Sequence, residues 1–289
     1  MRGVILSEAI KDSGLAGKNP SDPQQAIVVE NPWTFLRRYT SARIALGRSG
    51  NSLPTREVLA FNLAHAQAQD AVRAELDLAH FHEQLETQLG VKCTRAKSQA
   101  ADRDTYLRRP DLGRRLTPAS AETLQQLRAP AQTFDLALVL ADGLSAPALE
   151  HHAIPTLQAL LPQLGSWALA PLILVRHGRV AIGDEIGELL GARLVVVLIG
   201  ERPGLTAPDS LGIYVTWNPR VGRTDAERNC LSNIHAAGLT YSVAADKLAS
   251  LLDAARRLGS TGIALNQLAS ASPLPLAGRC KPEDPERIL

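Results

Sequence analysis

The chain is poor in cysteine, methionine and aromatic side chains: three Cys, one Met and 4% Phe, Trp and Tyr among 289 residues. Cys93, Cys230 and Cys280 are odd in number and lack C-x-x-C spacing, which excludes a disulfide framework and a four-cysteine zinc centre and fits a cytoplasmic protein. No run of about 20 apolar residues is free of charge, so no bilayer span is expected. The longest apolar run, Leu194 to Ile199, has the length of a strand. A large charge excess is missing too. With 31 Lys and Arg against 29 Asp and Glu, the net charge of +2 creates no field that would gather nucleic acid or an anionic membrane.

Signature motifs are equally scarce. There is no G-x-G-x-x-G after a strand, no G-x-x-x-x-G-K-[ST] and no G-x-S-x-G, which argues against a dinucleotide fold, an NTPase loop and a hydrolase elbow. His80 and His82 are two apart and His151 and His152 adjacent, so neither pair chelates from one helix face, and no metal site is expected. Residues Met1 to Ile10 lack the apolar centre of a secretory signal.

What remains is 45% hydrophobic and 21% charged, enough to bury a core. Residues 1–30 read as an extension, with a flexible connector from Lys18 to Gln25. Residues 31–116 read as helical. Pro32 to Leu46 can form a short arginine-rich helix, Gly47 to Ser52 a turn, and Pro54 to Glu57 start a long helix. In that helix Val58, Phe61, His65, Ala68, Val72 and Leu76 share one face, with His65 expected half-buried. Residues 117–270 change character. Phe134 to Leu140, Pro171 to Val175, Arg193 to Ile199 and Gly212 to Trp217 are near-continuous apolar runs, expected as strands covered on both faces, and helical segments lie between them. The fold expected is α/β: a helical N-terminal region followed by a Rossmann-like, doubly wound, mainly parallel sheet. Residues 271–289, rich in proline, read as an extended tail.

Ligands of such sheets sit at the carboxyl ends of the strands. Those ends read Asp142-Gly143-Leu144-Ser145, Arg176-His177-Gly178-Arg179-Val180, Glu201-Arg202-Pro203-Gly204 and Asn218-Pro219-Arg220. Glu201, between a buried strand and a turn, can meet a ligand donor, pair with Arg202 or cap the turn. Cys230 is by default a buried, inert thiol. The arginines from Arg103 to Arg115 suit surface ion pairs, although the turn at Pro110 and Gly113 also presents forked cations that could bind a partner or an anionic tail.

Taken together, Thr40 to Gly50, Tyr106 to Leu116, Asp142 to Ser145, Arg176 to Ile182, Ile186 to Ala192, Gly200 to Leu205 and Cys230 to His235 resemble the small (light) subunit of ethanolamine ammonia-lyase, in register from residue 40 to residue 238. The resemblance implies one subunit of a heteromeric, adenosylcobalamin-dependent lyase that converts ethanolamine to acetaldehyde and ammonia. The large subunit would hold the substrate, and this chain would cover the corrinoid from its dimethylbenzimidazole side, within a higher-order hetero-oligomer. Carried over position by position, the cofactor contacts are Val180, Glu201 and Cys230, with no catalytic acid or base and no metal ligand on this chain. No histidine lies in an Asp-x-His-x-x-Gly pattern, so the cobalamin implied is base-on. The location implied is the cytoplasm, or a bacterial microcompartment, which some family members enter through an N-terminal extension. Two other readings stand beside it: an assembly and solubility partner that touches no cofactor, and a stand-alone α/β enzyme acting on a nucleotide.

Overall fold

Apolar runs bounded by glycine, proline and polar turns build a layered α/β structure in the computed structural model, which describes residues 28–128 and 133–271. The expected extension up to residue 27 and the tail beyond residue 271 lie outside the described residues. Two compact units are present, residues 1–62 and residues 63–289. No helix among the described residues is long and apolar enough to cross a membrane.

In the first unit, an antiparallel bridge joins Val29 and Arg48 through bonds of 2.8 and 2.9 Å. The expected arginine-rich helix is a 3-10 turn, Pro32–Tyr39, because Asn31 caps the Trp33 N–H at 2.9 Å and Pro32 suits the first position. The long helix, α1 (Thr55–Arg73), starts as the sequence predicts, and its residues from Leu63 on belong to the second unit. Its apolar stripe is covered only toward its end: Val58 and Phe61 are 40% and 45% exposed and His65 is exposed rather than half-buried, whereas Ala68 and Val72 are half-buried and Leu76, just beyond the helix, is buried. Periodicity identifies a face, not what covers it.

The second unit follows with α2 (Leu78–Leu89), β1 (Cys93–Lys97), α3 (Arg103–Arg108), α4 (Pro118–Gln126), β2 (Phe134–Ala141), α5 (Ala146–Leu160), β3 (Leu172–Arg176), α6 (Ile182–Leu190), β4 (Ala192–Gly200), β5 (Leu211–Trp217), β6 (Arg228–Ile234), α7 (Tyr241–Leu258) and α8 (Ile263–Ala271). The strands form a six-stranded sheet in the order β1-β3-β2-β4-β5-β6. Alternate residues of β2 face opposite cores. Leu136, Leu138 and Leu140 pack with Phe81 and Leu85 of α2, Leu149 and Leu157 of α5 and Leu248 of α7. Ala137, Val139 and Ala141 pack with Leu124 of α4 and Ile182 and Ile186 of α6. Helices therefore cover both faces, and the central strands carry almost no polar residue.

Three findings correct the expectation. β1 lies within the stretch expected to be helical, where it pairs in parallel with β3. The run Gly212 to Trp217 is a strand, but β5 is antiparallel to β4, and β6 is antiparallel to β5. Hydrophobicity reports burial, not direction. The connection at residues 201–210 is too short for the crossover that a parallel neighbour needs. Asn218 to Arg220 consequently sits at the opposite edge of the sheet from the other three strand ends, with the Asn218 N–H bonded to the Arg193 carbonyl at 2.8 Å.

A buried ion pair anchors this antiparallel side. Arg228 on β6 donates from Nη1 and Nη2 to both oxygens of Asp184 on α6, at 2.6 and 2.7 Å, and from Nη1 to the Thr216 hydroxyl at 3.0 Å. Both charged side chains are almost fully buried. Removing one partner strands the other charge out of water, so Asp184→Ala is expected to destabilise the chain by about 3–5 kcal/mol. Urea unfolding of the variant measures this, and a midpoint equal to the wild type would contradict it.

Candidate functional site

The strand order reverses between β2 and β4: β2 leads to β3 on one side and β4 to β5 on the other. Their carboxyl ends form the topological switch point, where open α/β sheets bind ligands. Close backbone approach shapes this crevice. The Leu144 N–H donates to the Gly200 carbonyl at 2.9 Å. Gly143 is left-handed with φ +58°, and a Cβ there would lie 2.3 Å from the Gly200 oxygen; one on Gly200 would lie 2.0 Å from the Ser145 oxygen. Neither position admits a side chain.

Asp142 joins the ends of β2 and β3. It is buried, and its Oδ1 accepts the Gly178 N–H at 3.2 Å. Burial pushes its carboxyl above the usual range, against the opposing pull of the His177 backbone and charge and of the Arg103 guanidinium. Arg103 reaches the same turn, with Nη1 donating to the Gly143 carbonyl at 2.8 Å and Nε donating to the Val72 carbonyl at 2.8 Å. His177, buried and left-handed at φ +56°, stacks against Tyr106 with ring centroids 5.7 Å apart. A histidine in that conformation is uncommon, and here the packed surroundings hold it.

Val180 is positioned by its neighbour. The Arg179 guanidinium lies 4.3 Å over the Tyr106 ring, Nη2 donates to the Tyr106 carbonyl at 3.2 Å, and the Arg179 N–H donates to the Gly113 carbonyl at 2.8 Å. The Tyr106 hydroxyl in turn donates to the Gly178 carbonyl at 3.0 Å. The segment around Tyr106 and Gly113 thus serves as a bracket for the loop after β3. Its arginines take the structural course: Arg108 pairs with Asp104, Arg109 with Asp111 and Arg115 with Glu185.

Glu201 leaves the end of β4 and does not pair with Arg202. Its carboxylate accepts the hydroxyls of Ser210 and Ser232 and, at 3.2 Å, the Asn233 N–H. A carboxylate offers about four lone-pair sites, so three are engaged and one stays available. Gly212 makes room for it, since a Cβ there would meet Glu201 Oε1 at 2.9 Å.

Val180 and Glu201 line one cleft of about 450 Å³, together with Leu144, Ile199, Tyr214 and Ser232. Apolar and polar groups share its lining, which also includes Arg179 and Arg202. Cys230 does not line this cleft. It sits opposite Tyr214 in the β5–β6 ladder. The expected buried thiol is instead exposed, because β6 is the edge strand. Partial burial of the sulfur still raises its pKa, with the Tyr214 hydroxyl opposing. Tyr106, Ser210, Tyr214 and Ser232 were not legible from the sequence as site residues, because each acts through a neighbour distant in the chain.

The model of the ethanolamine ammonia-lyase light chain matches residues 30–266. The chain belongs to that family. Its members are subunits of a heteromeric ammonia-lyase. Among relatives named ethanolamine ammonia-lyase small subunit, the one from Azotobacter vinelandii is 54% identical over 252 residues, covering 86% of this chain and 93% of that protein. The relative from Ralstonia nicotianae is 52% identical over 261 residues, covering 89% and 96%, and one from Pseudomonas fluorescens is 51% identical over 263 residues, covering 89% and 92%. The light-chain match extends across β1 to β6, so every strand end described above falls inside it.

Loss of the Glu201 carboxylate removes three bonds to a charged acceptor; the exposed Ser232 and Asn233 donors regain water, while Ser210 is buried. Glu201→Ala is therefore expected to cost about 1–2 kcal/mol, toward the low end for charged hydrogen bonds. Chemical denaturation reads the loss, and Glu201→Gln should recover part of it.

Proposed function

We propose that this chain covers one face of base-on adenosylcobalamin in an ethanolamine ammonia-lyase, while a large subunit holds the ethanolamine that becomes acetaldehyde and ammonia. The observation that carries the reading is the cleft at the switch point, lined by both Val180 and Glu201. A site of this size takes part of a large ligand rather than the whole of a corrinoid and its nucleotide tail. That suits a chain supplying one wall, with the other wall on a second polypeptide.

The residues present fit the group. Val180, Leu144 and Ile199 would offer apolar contact to a flat macrocycle, and Glu201, Ser232 and Arg202 polar contact to its amide fringe. Glu201 keeps one acceptor position for an amide N–H. Cys230, exposed beside Tyr214, would meet the ligand from the β6 side. Cobalamin supplies the radical chemistry by homolysis of its cobalt–carbon bond. This chain's residues bind, orient and exclude water, and none of them is assigned a proton transfer.

A large-subunit partner also accounts for apolar side chains that the first unit leaves in the open. Trp33, Phe35, Tyr39 and Leu59 are 54%, 48%, 73% and 62% exposed. Large exposed apolar residues in one small unit mark an interaction surface. The same residues favour a second reading, an assembly partner that touches no cofactor.

The cobalt spectrum separates the two. Purified large chain is mixed with this chain and adenosylcobalamin, and cofactor affinity and ethanolamine turnover are followed. Val180→Trp, which fills the cleft, is expected to weaken cofactor affinity in the assembled complex by at least about tenfold, or about 1.4 kcal/mol. Unchanged affinity in an intact complex would reject the contact assignment. Thiol labelling gives an independent readout. Burial pushes the Cys93 thiol up to about 12, so it should react slowly whether or not the complex forms. Cys230, exposed in the free chain, should be alkylated there and protected in the holoenzyme, as read by peptide mass.

A further inference from the structure

The loop after β4 is bound to α5 as well as to β6. The Ser145 hydroxyl caps the Ala148 N–H at 3.3 Å and donates to the Pro208 carbonyl at 3.0 Å, which holds residues 201–210 beside the first turns of α5. There the loop delivers Asp209 to His151 and His152. Two adjacent histidines on one helix diverge and do not chelate alone, but an acidic residue from a second element changes the geometry. Asp209 Oδ2 lies 3.3 Å from His151 Nδ1 and 3.4 Å from His152 Nε2. One ligand atom from each of the three residues falls within 4.8 Å of the others. A tetrahedral ion with bonds of about 2.0–2.2 Å spaces its ligand atoms by about 3.3–3.6 Å.

The state of His152 points the same way. Its side chain is 7% exposed, and Nδ1 bonds to the Tyr241 hydroxyl at 2.9 Å. Nε2 is buried, faces Asp209 and makes no hydrogen bond. Its nearest acceptor, Asp209 Oδ2 at 3.4 Å, is not aligned for a hydrogen bond, an arrangement that an ion shared by the two residues would explain. In the tautomer that gives Nδ1–H to Tyr241, Nε2 presents its lone pair, the arrangement in which a second residue fixes a metal-ligating histidine. His151, 57% exposed, leaves the approach open.

We propose that His151, His152 and Asp209 form a binding site for a divalent ion of the zinc class, with the fourth position open to water. Two imidazoles and one carboxylate select zinc, cobalt, nickel or copper over magnesium and calcium, which require shells of oxygen. The ion would fasten the loop after β4 to α5. Asp209 is followed by Ser210, whose hydroxyl donates to Glu201, so the fastening would reach the cleft through one residue. Cofactor binding is not needed for this inference.

The test uses the full, untagged chain freed of metal by a chelator. Titration with Co2+ is expected to give a visible d–d band that saturates at one equivalent and is bleached by Zn2+. His151→Ala lies at an exposed position where folding is not at stake, and it should weaken Co2+ binding by at least about tenfold, the loss that even an outer-shell partner causes. Asp209→Asn should do the same. Zn2+ should raise the melting temperature of the wild type and not of His151→Ala. Three results would each overturn the proposal: no saturable band, a band that both variants leave unchanged, or a near-ultraviolet thiolate charge-transfer band placing the ion on a cysteine.

Discussion

The strand ends are organised by how closely the backbones of β2 and β4 meet. Gly143 and Gly200 touch through main-chain atoms, with no side chain between them, and the Leu144 N–H closes the contact on the Gly200 carbonyl. From that junction three devices lead outward. Asp142 holds the turn after β3, the Ser145 hydroxyl holds the loop after β4, and Glu201 ties that loop to β6. Each uses a side chain to hold a segment away from its own strand end, which fixes the rim above the cores on both faces of the sheet.

The central strands were legible because burial on both faces demands continuous apolar runs, as in Phe134 to Ala141 and Ala192 to Gly200. The two strands that escaped notice, β1 and β6, are the two edges. Edges are kept polar to prevent pairing with other chains, and Arg95, Lys97, Asn229 and Ser232 disguise the strand pattern in that way. Strand direction was hidden for a different reason: burial is the same for either orientation, and only the length of the connection before β5 separates them. At the site, Val180 and Glu201 were placed together by their positions after β3 and β4. What holds them was not visible, since Tyr106 and Ser232 reach them across long sequence separations.

Family membership and geometry divide the explanatory work. Similarity over residues 30–266 establishes the kind of enzyme to which the subunit belongs. The architecture accounts for the composition of the cleft, which combines Leu144, Val180 and Ile199 with Arg179, Arg202 and a carboxylate already bonded on three sides.

The reversal of β5 has an evolutionary corollary. Because β5 returns, the connection between β5 and β6, residues 218–227, hangs from the edge of the sheet remote from the cleft, whereas residues 201–210 border it. Natural length variation should therefore collect in the former segment. The latter is pinned at Glu201, Pro208 and Ser210, so variation there is confined to its exposed middle.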